Sequence, residues 1–534
     1  MRPATLTGRV AAGEGRSFDV MMEQPTPAVP HINPWLIAIS VMFGTFMEVL
    51  DTTVVNVSLP HIAGNLSATP EEATWALTSY LVANAIVLPM TGWLASYFGR
   101  KRLLMASVIG FTTASFFCGL APTLAWLVIF RIIQGLTGGV LQPVSQAVML
   151  EAFPPSQRGK AMGIWGLGVV VAPMLGPVLG GWLTDNYSWR WVFYINIPVG
   201  IASIIMTKLF IFDPSYIRRS TGRVDTWGIG MLAVGVGALQ LVLDKGQQED
   251  WFSSNWIVSL TILSAVMLVI FIIHELRTSN PVLLLRVFKE RTYSTGVFLM
   301  TALGFVLYGS LVLLPLFLQT VLGYPAIEAG ISMAPRGLGS FIAMPLVGML
   351  IAKIDPRKLL CCGLLGGSLT LFALGSLSLQ VGYWDIFWPQ FFQGMSMGLI
   401  FVPLTTVTMS LIKREEMGNA TSLFNLMRNL GGSVGIAAIA TMLGRSARAQ
   451  YGIIGTHVSG YDPSIRILLD RIRNGFISRG MDVTSAGQAA YAAMAGMVRQ
   501  QAMMVAFVQL FRVLSLVFAI VIPFVFIMKR PSRQ

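Results

Sequence analysis

Residues 35–58 read WLIAISVMFGTFMEVLDTTVVNVS, an apolar segment that is interrupted near its centre by two acidic side chains. A helix needs roughly 20 apolar residues to cross about 30 Å of hydrocarbon, so this segment is long enough to span a membrane. Glu48 and Asp51 are three positions apart and therefore project from one face of the helix. Charged groups are costly in hydrocarbon, so their presence there predicts a functional site.

Apolar segments of this kind follow one another along the whole chain. Of its 534 residues, 54% are hydrophobic and 11% are charged, whereas a soluble protein carries roughly 25% charged residues. The segments are continuously apolar and not alternating, which favours helices over a β-barrel. The sequence predicts an all-α integral membrane protein with about fourteen spans. The predicted spans are 35–58, 73–97, 103–119, 124–148, 160–184, 191–212, 225–243, 256–275, 294–320, 327–353, 359–380, 388–411, 420–444 and 503–528.

The positive charge of the chain is concentrated in the short polar breaks. A net charge of +13 would be compatible with nucleic-acid binding, but the positions of the basic residues indicate membrane topology instead. They predict that both termini are cytoplasmic, with no nucleic acid as a partner. The polar segment 445–501 is on the opposite side and carries several arginines, which long translocated segments tolerate. The basic residues on the terminal side are Arg100 to Arg102, Arg158, Lys160, Arg218, Arg219, Arg223, Arg277 to Arg291, Lys353 to Lys358, Lys413, Arg414 and Lys529 to Arg533.

The chain contains an internal repeat. Residues 92–104, GWLASYFGRKRLL, align without gaps on residues 348–360, GMLIAKIDPRKLL. Two further anchors follow in order, and chance similarity between apolar segments is the alternative explanation. They pair Gln134 and Gly135 with Gln393 and Gly394, and Gly176 and Gly180 with Gly432 and Gly435. The repeat predicts two six-helix bundles with an inserted two-helix hairpin, an organisation common in secondary transporters. The predicted domains are 1–33, a cytoplasmic tail; 34–212, the first bundle; 213–293, a linker with the hairpin; 294–528, the second bundle with a periplasmic segment at 445–501; and 529–534, a cytoplasmic tail.

Two carboxylates and one arginine are the candidates for proton coupling. Burial and a neighbouring carboxylate raise a carboxyl pKa and an arginine lowers it, so such a group can be tuned to exchange protons near neutral pH. Arg131 in the fourth predicted span is the natural counter-charge for Asp51 and Glu48. Either Asp51 and Arg131 pair and separate during a transport cycle, or they form a permanent ion pair that fixes helix packing.

Three more arginines fall within predicted spans. Arg336 and Arg428 either attract an anion or take part in gating, or their side chains extend to the end of the helix and reach water. Arg512 is close enough to the outer end of its helix to reach water. A substrate cavity would be lined by polar and aromatic side chains on inward faces. The candidates are Trp75, Tyr80, Asn84, Gln142, Gln146, Tyr308, Gln319, Asn425 and Arg428.

Several motifs resemble those of the major facilitator superfamily, specifically its fourteen-helix EmrB/QacA branch of drug:proton antiporters. They are 50–60, LDTTVVNVSLP; 92–104, with Gly92, Gly99, Arg100 and Lys101; 131–135, RIIQG, with Gln134 and Gly135; 176–181, GPVLGG, with Gly176, Pro177, Gly180 and Gly181; and 189–198, WRWVFYINIP, with Trp189, Arg190, Asn196 and Pro198. Ser96 stands where the family usually has an acidic residue, which casts doubt on a charge latch between the halves. The glycines of 176–181 allow close helix packing, and the resemblance implies that this motif seals the transporter against leak.

The resemblance implies a proton-coupled exporter of amphipathic drugs or toxic small molecules in the bacterial inner membrane. It also implies a periplasmic EmrA-like adaptor and an outer-membrane channel as partners, with 445–501 as the contact. No ATP-binding GxxxxGK[ST] motif, metal-binding cluster or activated nucleophile is evident, so we expect no cofactor, no metal and no enzymatic activity, with the proton gradient as energy source. The alternatives are a proton-linked importer of a metabolite and, less favoured, a membrane-embedded enzyme or receptor.

Overall fold

The structure, a computed structural model, describes residues 33–213, 224–278, 281–459 and 461–529. Within these ranges 14 helices are long and apolar enough to cross a membrane, and they are numbered spans 1 to 14 in chain order. The spans are Pro34–Asn65, Pro70–Phe98, Arg100–Leu120, Leu124–Ala152, Pro155–Asn186, Trp191–Phe210, Thr226–Lys245, Asn255–Arg277, Arg291–Thr320, Glu328–Leu350, Pro356–Leu374, Tyr383–Met409, Arg414–His457 and Val483–Ile527. The predicted number of spans is confirmed.

The polar segment 445–501 is largely helical. The apolar spacing of 464–479 and the unbroken run from Ser485 into the last span predict helix for its second part. Span 13 continues to His457, and span 14 begins already at Val483. Between them lies an amphipathic helix, Pro463–Ile477. Span 14 starts where the Asp482 carboxylate accepts hydrogen bonds from two backbone N–H groups of the first turn, at 3.1 and 3.0 Å. Both helices therefore extend beyond the predicted spans 420–444 and 503–528.

The helices form two bundles with the same internal packing. In the first bundle span 1 packs on spans 5 and 6, span 2 packs on span 4, and span 3 packs on spans 4 and 6. In the second bundle span 9 packs on spans 13 and 14, span 10 packs on span 12, and span 11 packs on spans 12 and 14. Two six-helix bundles with an inserted hairpin are thus confirmed. The predicted arginines Arg218, Arg219 and Arg223, and the tails 1–32 and 530–534, lie outside the described residues.

Equivalent glycines create equivalent helix crossings in the two bundles. A Cβ atom on Gly135 would collide with the backbone carbonyl of Tyr80, and a Cβ atom on Gly394 would collide with that of Arg336. In each case a glycine of the fourth helix of a bundle lets its backbone touch that of the second helix. Tyr80 and Arg336 therefore occupy corresponding positions in the two halves.

The two bundles meet closely at the face where span 1 begins and span 14 ends, here called the termini face. A Cβ atom on Gly163 would lie 2.6 Å from the carbonyl oxygen of Met344, so spans 5 and 10 touch through their backbones. On the other side of the bundle, a Cβ atom on Gly92 would lie 2.6 Å from the backbone of Asn419, which brings span 2 against span 13. The halves are therefore closed against each other at this face.

Two basic residues of the loop motif, Arg100 and Lys101, bind partners within the first bundle. Arg100 forms a buried ion pair with Glu151 at the end of span 4. The backbone N–H of Lys101 donates to the carboxylate of Asp213, at 2.8 Å, after span 6. Ser96, which replaces the usual acidic residue, donates to a carbonyl of its own helix. These contacts join spans 3, 4 and 6 at the termini face.

The hairpin of spans 7 and 8 lies beside the junction of the bundles. Span 7 packs on span 2 of the first bundle and also on span 13 of the second. The hydroxyl of Thr78 in span 2 donates to Asp244, and the Gln240 amide exchanges hydrogen bonds of 3.0 and 3.1 Å with Ser433 of span 13. The inserted helices therefore contact both halves.

Closure at the termini face can be trapped by a disulfide. An ideal Cβ on Gly159 would lie 3.5 Å from the Cβ of Ile351, within the range of about 3.5–4.5 Å that disulfides occupy. In a background with Cys118, Cys361 and Cys362 replaced by serine, we expect Gly159→Cys/Ile351→Cys to cross-link under mild oxidation in membrane vesicles. Mass spectrometry of proteolytic peptides measures the bond.

The matched control is Gly64→Cys/Ile351→Cys, because Gly64 lies at the other end of span 1 with no atom near its Cβ position. We expect no cross-link in that pair. Absence of the bond in the Gly159 pair as well would show that the halves do not close as the structure shows.

Candidate functional site

Asp51 is the centre of a buried polar cluster in the first bundle. One oxygen of its carboxylate accepts a hydrogen bond of 2.5 Å from Nη1 of Arg131. The other accepts bonds from the side-chain amides of Gln134, at 3.0 Å, and Asn196, at 2.8 Å. Asp51 is 1% exposed and Arg131 is fully buried. The predicted pairing of Asp51 with Arg131 is present in the structure.

Arg131 is held in place from several sides. Its Nε donates to the backbone carbonyl of Ala76 at 2.9 Å, and Nη1 also donates to the Gln134 side chain at 2.8 Å. Its guanidinium lies 4.2 Å from the centre of the Tyr80 ring, a cation–π distance. A buried ion pair needs such additional hydrogen bonds because both charges have lost their hydration.

Asn196 was assigned from sequence to a structural motif, but the structure makes it a direct partner of Asp51. The segment 189–198 brings it there, since Trp189 is buried and is stacked 4.4 Å from the Arg190 guanidinium. Asn196 also donates to the hydroxyl of Ser115 at 3.0 Å. Gln134, likewise assigned to a motif, has the same role. For Asn196, the available sequence signal was a single amide side chain near the start of an otherwise apolar span.

Glu48 has partners different from those of Asp51. Its carboxylate accepts hydrogen bonds from Asn84, at 3.0 Å, from Gln142, and from the Tyr80 hydroxyl at 3.4 Å. It is 4% exposed and makes no ion pair within the described part of the chain. Three of the predicted cavity residues therefore surround a carboxylate.

A chain of hydrogen bonds connects Glu48 to the second bundle. The Gln142 side chain donates to Glu48 and accepts from Nη2 of Arg428 in span 13. A second amide contact crosses the same junction, since Asn425 donates to the Gln146 side chain at 2.5 Å. The predicted residues on spans 4 and 13 thus meet between the halves. The Gln142 side chain thus joins the Glu48 carboxylate to the Arg428 guanidinium.

Three other predicted cavity residues do not join this cluster. Trp75 is 38% exposed and lies 5.1 Å from the ammonium group of Lys245 in the hairpin. Tyr308 packs against Gly432 of span 13, and Gln319 is exposed near the end of span 9. Their sequence signal, a polar or aromatic side chain within a span, does not determine which way a helix face turns.

The glycine motif of span 5 packs on the span that carries both acids. A Cβ atom on Gly176 would collide with Thr53, and one on Gly180 would lie 2.7 Å from the carbonyl oxygen of Val54. These contacts lie just after Asp51 in span 1. Gly181, in contrast, has no close neighbour at its Cβ position, so close packing does not explain it.

The cluster offers proton chemistry and charge recognition. In the part of the chain that is described, no three His, Cys, Asp or Glu side chains are grouped as metal ligands. What the site presents is two buried carboxylates, each reached by amides that can reorient, with a buried arginine on either side. A proton on either carboxylate removes a charge from a low-dielectric environment, where charge changes have large effects.

Comparison with known proteins places these features in a family. The family model described as Major Facilitator Superfamily matches residues 41–436. The chain is 38% identical over 501 residues to the fatty acid resistance protein FarB of Neisseria gonorrhoeae, covering 93% of this chain and 96% of that protein. It is also 38% identical over 440 residues to the multidrug export protein EmrB of Escherichia coli K12, covering 82% and 85%.

Solved structures show the same fold at low sequence identity. The human organic anion transporter MFSD10 (TETRAN) superposes with a TM-score of 0.56 at 12% identity, covering 91% of this chain and 100% of that one. The proton:xylose symporter XylE superposes with a TM-score of 0.53 at 14% identity, covering 87% and 94%.

The buried pair predicts a specific stability pattern. In Asp51→Asn the Arg131 charge loses its counter-charge, so we expect the free energy of unfolding to fall by about 3–5 kcal/mol. The double variant Asp51→Asn/Arg131→Gln contains no unpaired buried charge, and we expect it to recover part of that loss. Thermal and denaturant unfolding of the purified protein in detergent measures both.

Asp185→Asn is the matched control, because it makes the same substitution at an exposed residue of span 5. It should unfold like the wild type. If Asp51→Asn did so too, the pair would not contribute to the stability of this state.

Proposed function

The chain belongs to the Major Facilitator Superfamily, and on that premise we propose that it exports amphipathic small molecules in exchange for protons. The observation that carries the proposal is the buried Asp51 carboxylate, held by Arg131 and two amides in the interior of a membrane bundle. Alternating access of the two bundles would expose this carboxylate to each side of the membrane in turn.

Export is favoured over import by two features. The relatives with the matching chain length carry names that describe multidrug export and fatty acid resistance. In addition, the glycine motif at 176–181, which the family resemblance associates with antiport, packs on span 1 beside the proton-binding residue. In this proposal, the backbone contact there seals span 1 against leak.

The proton gradient supplies enough energy for this task. One proton that moves down about 100 mV supplies roughly 2.3 kcal/mol, which sustains roughly a fifty-fold gradient of a neutral solute. To use that energy, the protein must bind the proton where it alters the balance between two conformations. A carboxylate that is already part of the helix packing meets this condition.

We propose that protonation of Asp51 releases Arg131. The neutral acid no longer balances the guanidinium, whose remaining bonds go to the Ala76 carbonyl and the Gln134 amide. Arg131 then stabilises the bundle less, since an unpaired buried charge is costly. The alternative packing of spans 1, 4 and 6 becomes accessible.

Glu48 transmits the change between the halves in this proposal. While it is ionised, Gln142 is oriented with its N–H toward Glu48 and its carbonyl toward Arg428. Protonation weakens that orientation, because a neutral acid is a poorer acceptor than a carboxylate. The contact between spans 4 and 13 is then free to open.

Orientation and partners follow the same proposal. The described basic residues between spans lie mostly at the termini face, which we assign to the cytoplasm of a bacterial inner membrane. The extensions of spans 13 and 14 and the helix Pro463–Ile477 would then be periplasmic. They would supply the surface for an EmrA-like adaptor that leads to an outer-membrane channel.

Transport in proteoliposomes with an imposed pH gradient tests the function. We expect Asp51→Asn to lose uphill uptake of an amphipathic dye, because no proton can bind at the coupling site, while downhill flux persists. Asp185→Asn should behave as the wild type in the same vesicles. Equal gradient-driven uptake by Asp51→Asn and wild type would remove Asp51 from the mechanism.

The link between the halves is tested by Gln142→Leu. This change removes the bridge between Glu48 and Arg428, and charge-assisted hydrogen bonds of this kind contribute about 1.5–3 kcal/mol. We expect gradient-driven uptake to fall about tenfold or more at unchanged protein yield. Gln509→Leu, at an exposed site of span 14, is the control. Wild-type coupling in Gln142→Leu would show that Glu48 acts without Arg428.

A further inference from the structure

We propose that Arg336 is an anion-binding residue of the second bundle and holds the negatively charged headgroup, a carboxylate or a sulfonate, of the transported substrate. The inference rests on the proposed export function and assigns the substrate class. Arg336 is a buried positive charge with too few hydrogen-bond partners among the described residues to replace its lost hydration.

Arg336 is fully buried in span 10, yet it has almost no hydrogen-bond partners. Nη2 donates to the hydroxyl of Ser310 in span 9 at 3.1 Å. Nε and Nη1 donate to no atom of the chain as far as the structure describes it. Arg131, equally buried, has a carboxylate and two carbonyl groups as acceptors. A cation without an acidic partner is costly in a membrane interior.

The internal repeat shows how the two bundles differ at this position. Arg336 corresponds to Tyr80, because their backbones contact the equivalent glycines of spans 12 and 4. Four positions before those glycines, the first bundle has Arg131 and the second has Gln390. Span 9, the counterpart of span 1, contains no Asp or Glu. The second bundle therefore has a buried arginine on its second helix and not on its fourth. Its first helix has no acidic residue that could pair with this arginine.

The neighbouring helix supplies further unused polar groups. Gln390 donates to Gln393 at 3.3 Å, which leaves the carbonyl of Gln390 and the amide N–H groups of Gln393 without partners among the described residues. Both side chains are buried in span 12, within one turn of Gly394, whose backbone touches that of Arg336. Amide N–H groups and a guanidinium are both donors that a carboxylate accepts from.

The charges in the middle of the protein also favour an anion. Of the eight charged side chains that are buried among the described residues, five lie away from the ends of the spans. Two of these five are carboxylates and three are arginines. They are Glu48, Asp51, Arg131, Arg336 and Arg428. Two negative and three positive charges leave one positive charge in excess. A monovalent anion would neutralise it, whereas a cationic substrate would increase it.

Access to Arg336 depends on the movement that the proposed mechanism requires. The next residue, Gly337, faces the other bundle, since a Cβ atom there would lie 3.1 Å from the sulfur of Met174 in span 5. When spans 5 and 10 separate, the helix surface next to Arg336 becomes part of the space between the halves. The site is closed in the present conformation and opens with the bundles.

Binding of three matched probes tests the assignment. Naphthalene-2-acetate, 2-naphthaleneethanol and 2-naphthylmethylammonium share an aromatic body and differ in the charge of the headgroup. Calorimetry with the full chain in phosphatidylcholine nanodiscs, without a proton gradient, measures their affinities. We expect the wild type to bind the acid more tightly than the alcohol and the alcohol more tightly than the ammonium.

In Arg336→Gln we expect the affinity for the acid to fall about thirtyfold or more, as when one member of a buried charge pair is removed, with the alcohol unchanged. Arg336→Lys keeps the charge and should retain part of the affinity. Arg512→Gln, at an exposed arginine that donates to the Gly375 carbonyl, is the control and should bind as the wild type. Equal losses for all three probes, or no loss, would overturn the proposal.

If Arg336→Gln does not fold, the affinities of the wild type still test the proposal. Equal affinities of the wild type for the acid and the alcohol would exclude an anion site. Lipid headgroups carry the same chemistry. Suppose that the wild type retains phosphatidylglycerol, that Arg336→Lys does not, and that the probes show no headgroup preference. Arg336 would then be assigned to lipid binding, and its role in substrate binding would be overturned. Failure here leaves the proton-coupling test on Asp51 unaffected, since no gradient is involved.

Discussion

The interaction on which the rest of the structure depends is the ion pair of Asp51 and Arg131 in the membrane interior. Both side chains have lost their hydration, and the pair persists because Asp51 accepts three hydrogen bonds from spans 4 and 6. Those bonds fix span 1 against the rest of its bundle. In the proposed mechanism, the same carboxylate is the group whose charge a proton cancels. That mechanism makes helix packing and proton binding one equilibrium at this site.

The two bundles share a framework but differ in charge. Glycines at corresponding positions, such as Gly135 and Gly394, produce the same close helix crossings in both bundles. The acids lie in the first bundle, whereas the second contributes Arg336 and Arg428. A common scaffold thus places a half with two buried carboxylates against a half that contributes two buried arginines. The asymmetry lies in the side chains and not in the helices.

The sequence was sufficient for the spans, the repeat and the pairing of Asp51 with Arg131, because each depends on apolar length or on the cost of a lone charge. It was not sufficient for Asn196, which reaches Asp51 only because span 6 packs on span 1. Glu48 was predicted to act with Arg131 but binds Gln142 and is linked to Arg428. Such partners depend on how helices turn about their axes, and apolar periodicity does not fix that rotation.

The hairpin contacts the two bundles through different kinds of hydrogen bond. Its contacts with span 2 involve charged groups, since Thr78 donates to Asp244 and Lys245 donates to the Thr74 hydroxyl at 2.5 Å. Its polar contacts with span 13 are neutral hydrogen bonds, among them that of Gln240. Hydrogen bonds to charged groups are the stronger ones, so the neutral set breaks at lower cost. If span 13 separates from span 2 during transport, we therefore expect the hairpin to remain with the first bundle, which would then comprise eight helices against six.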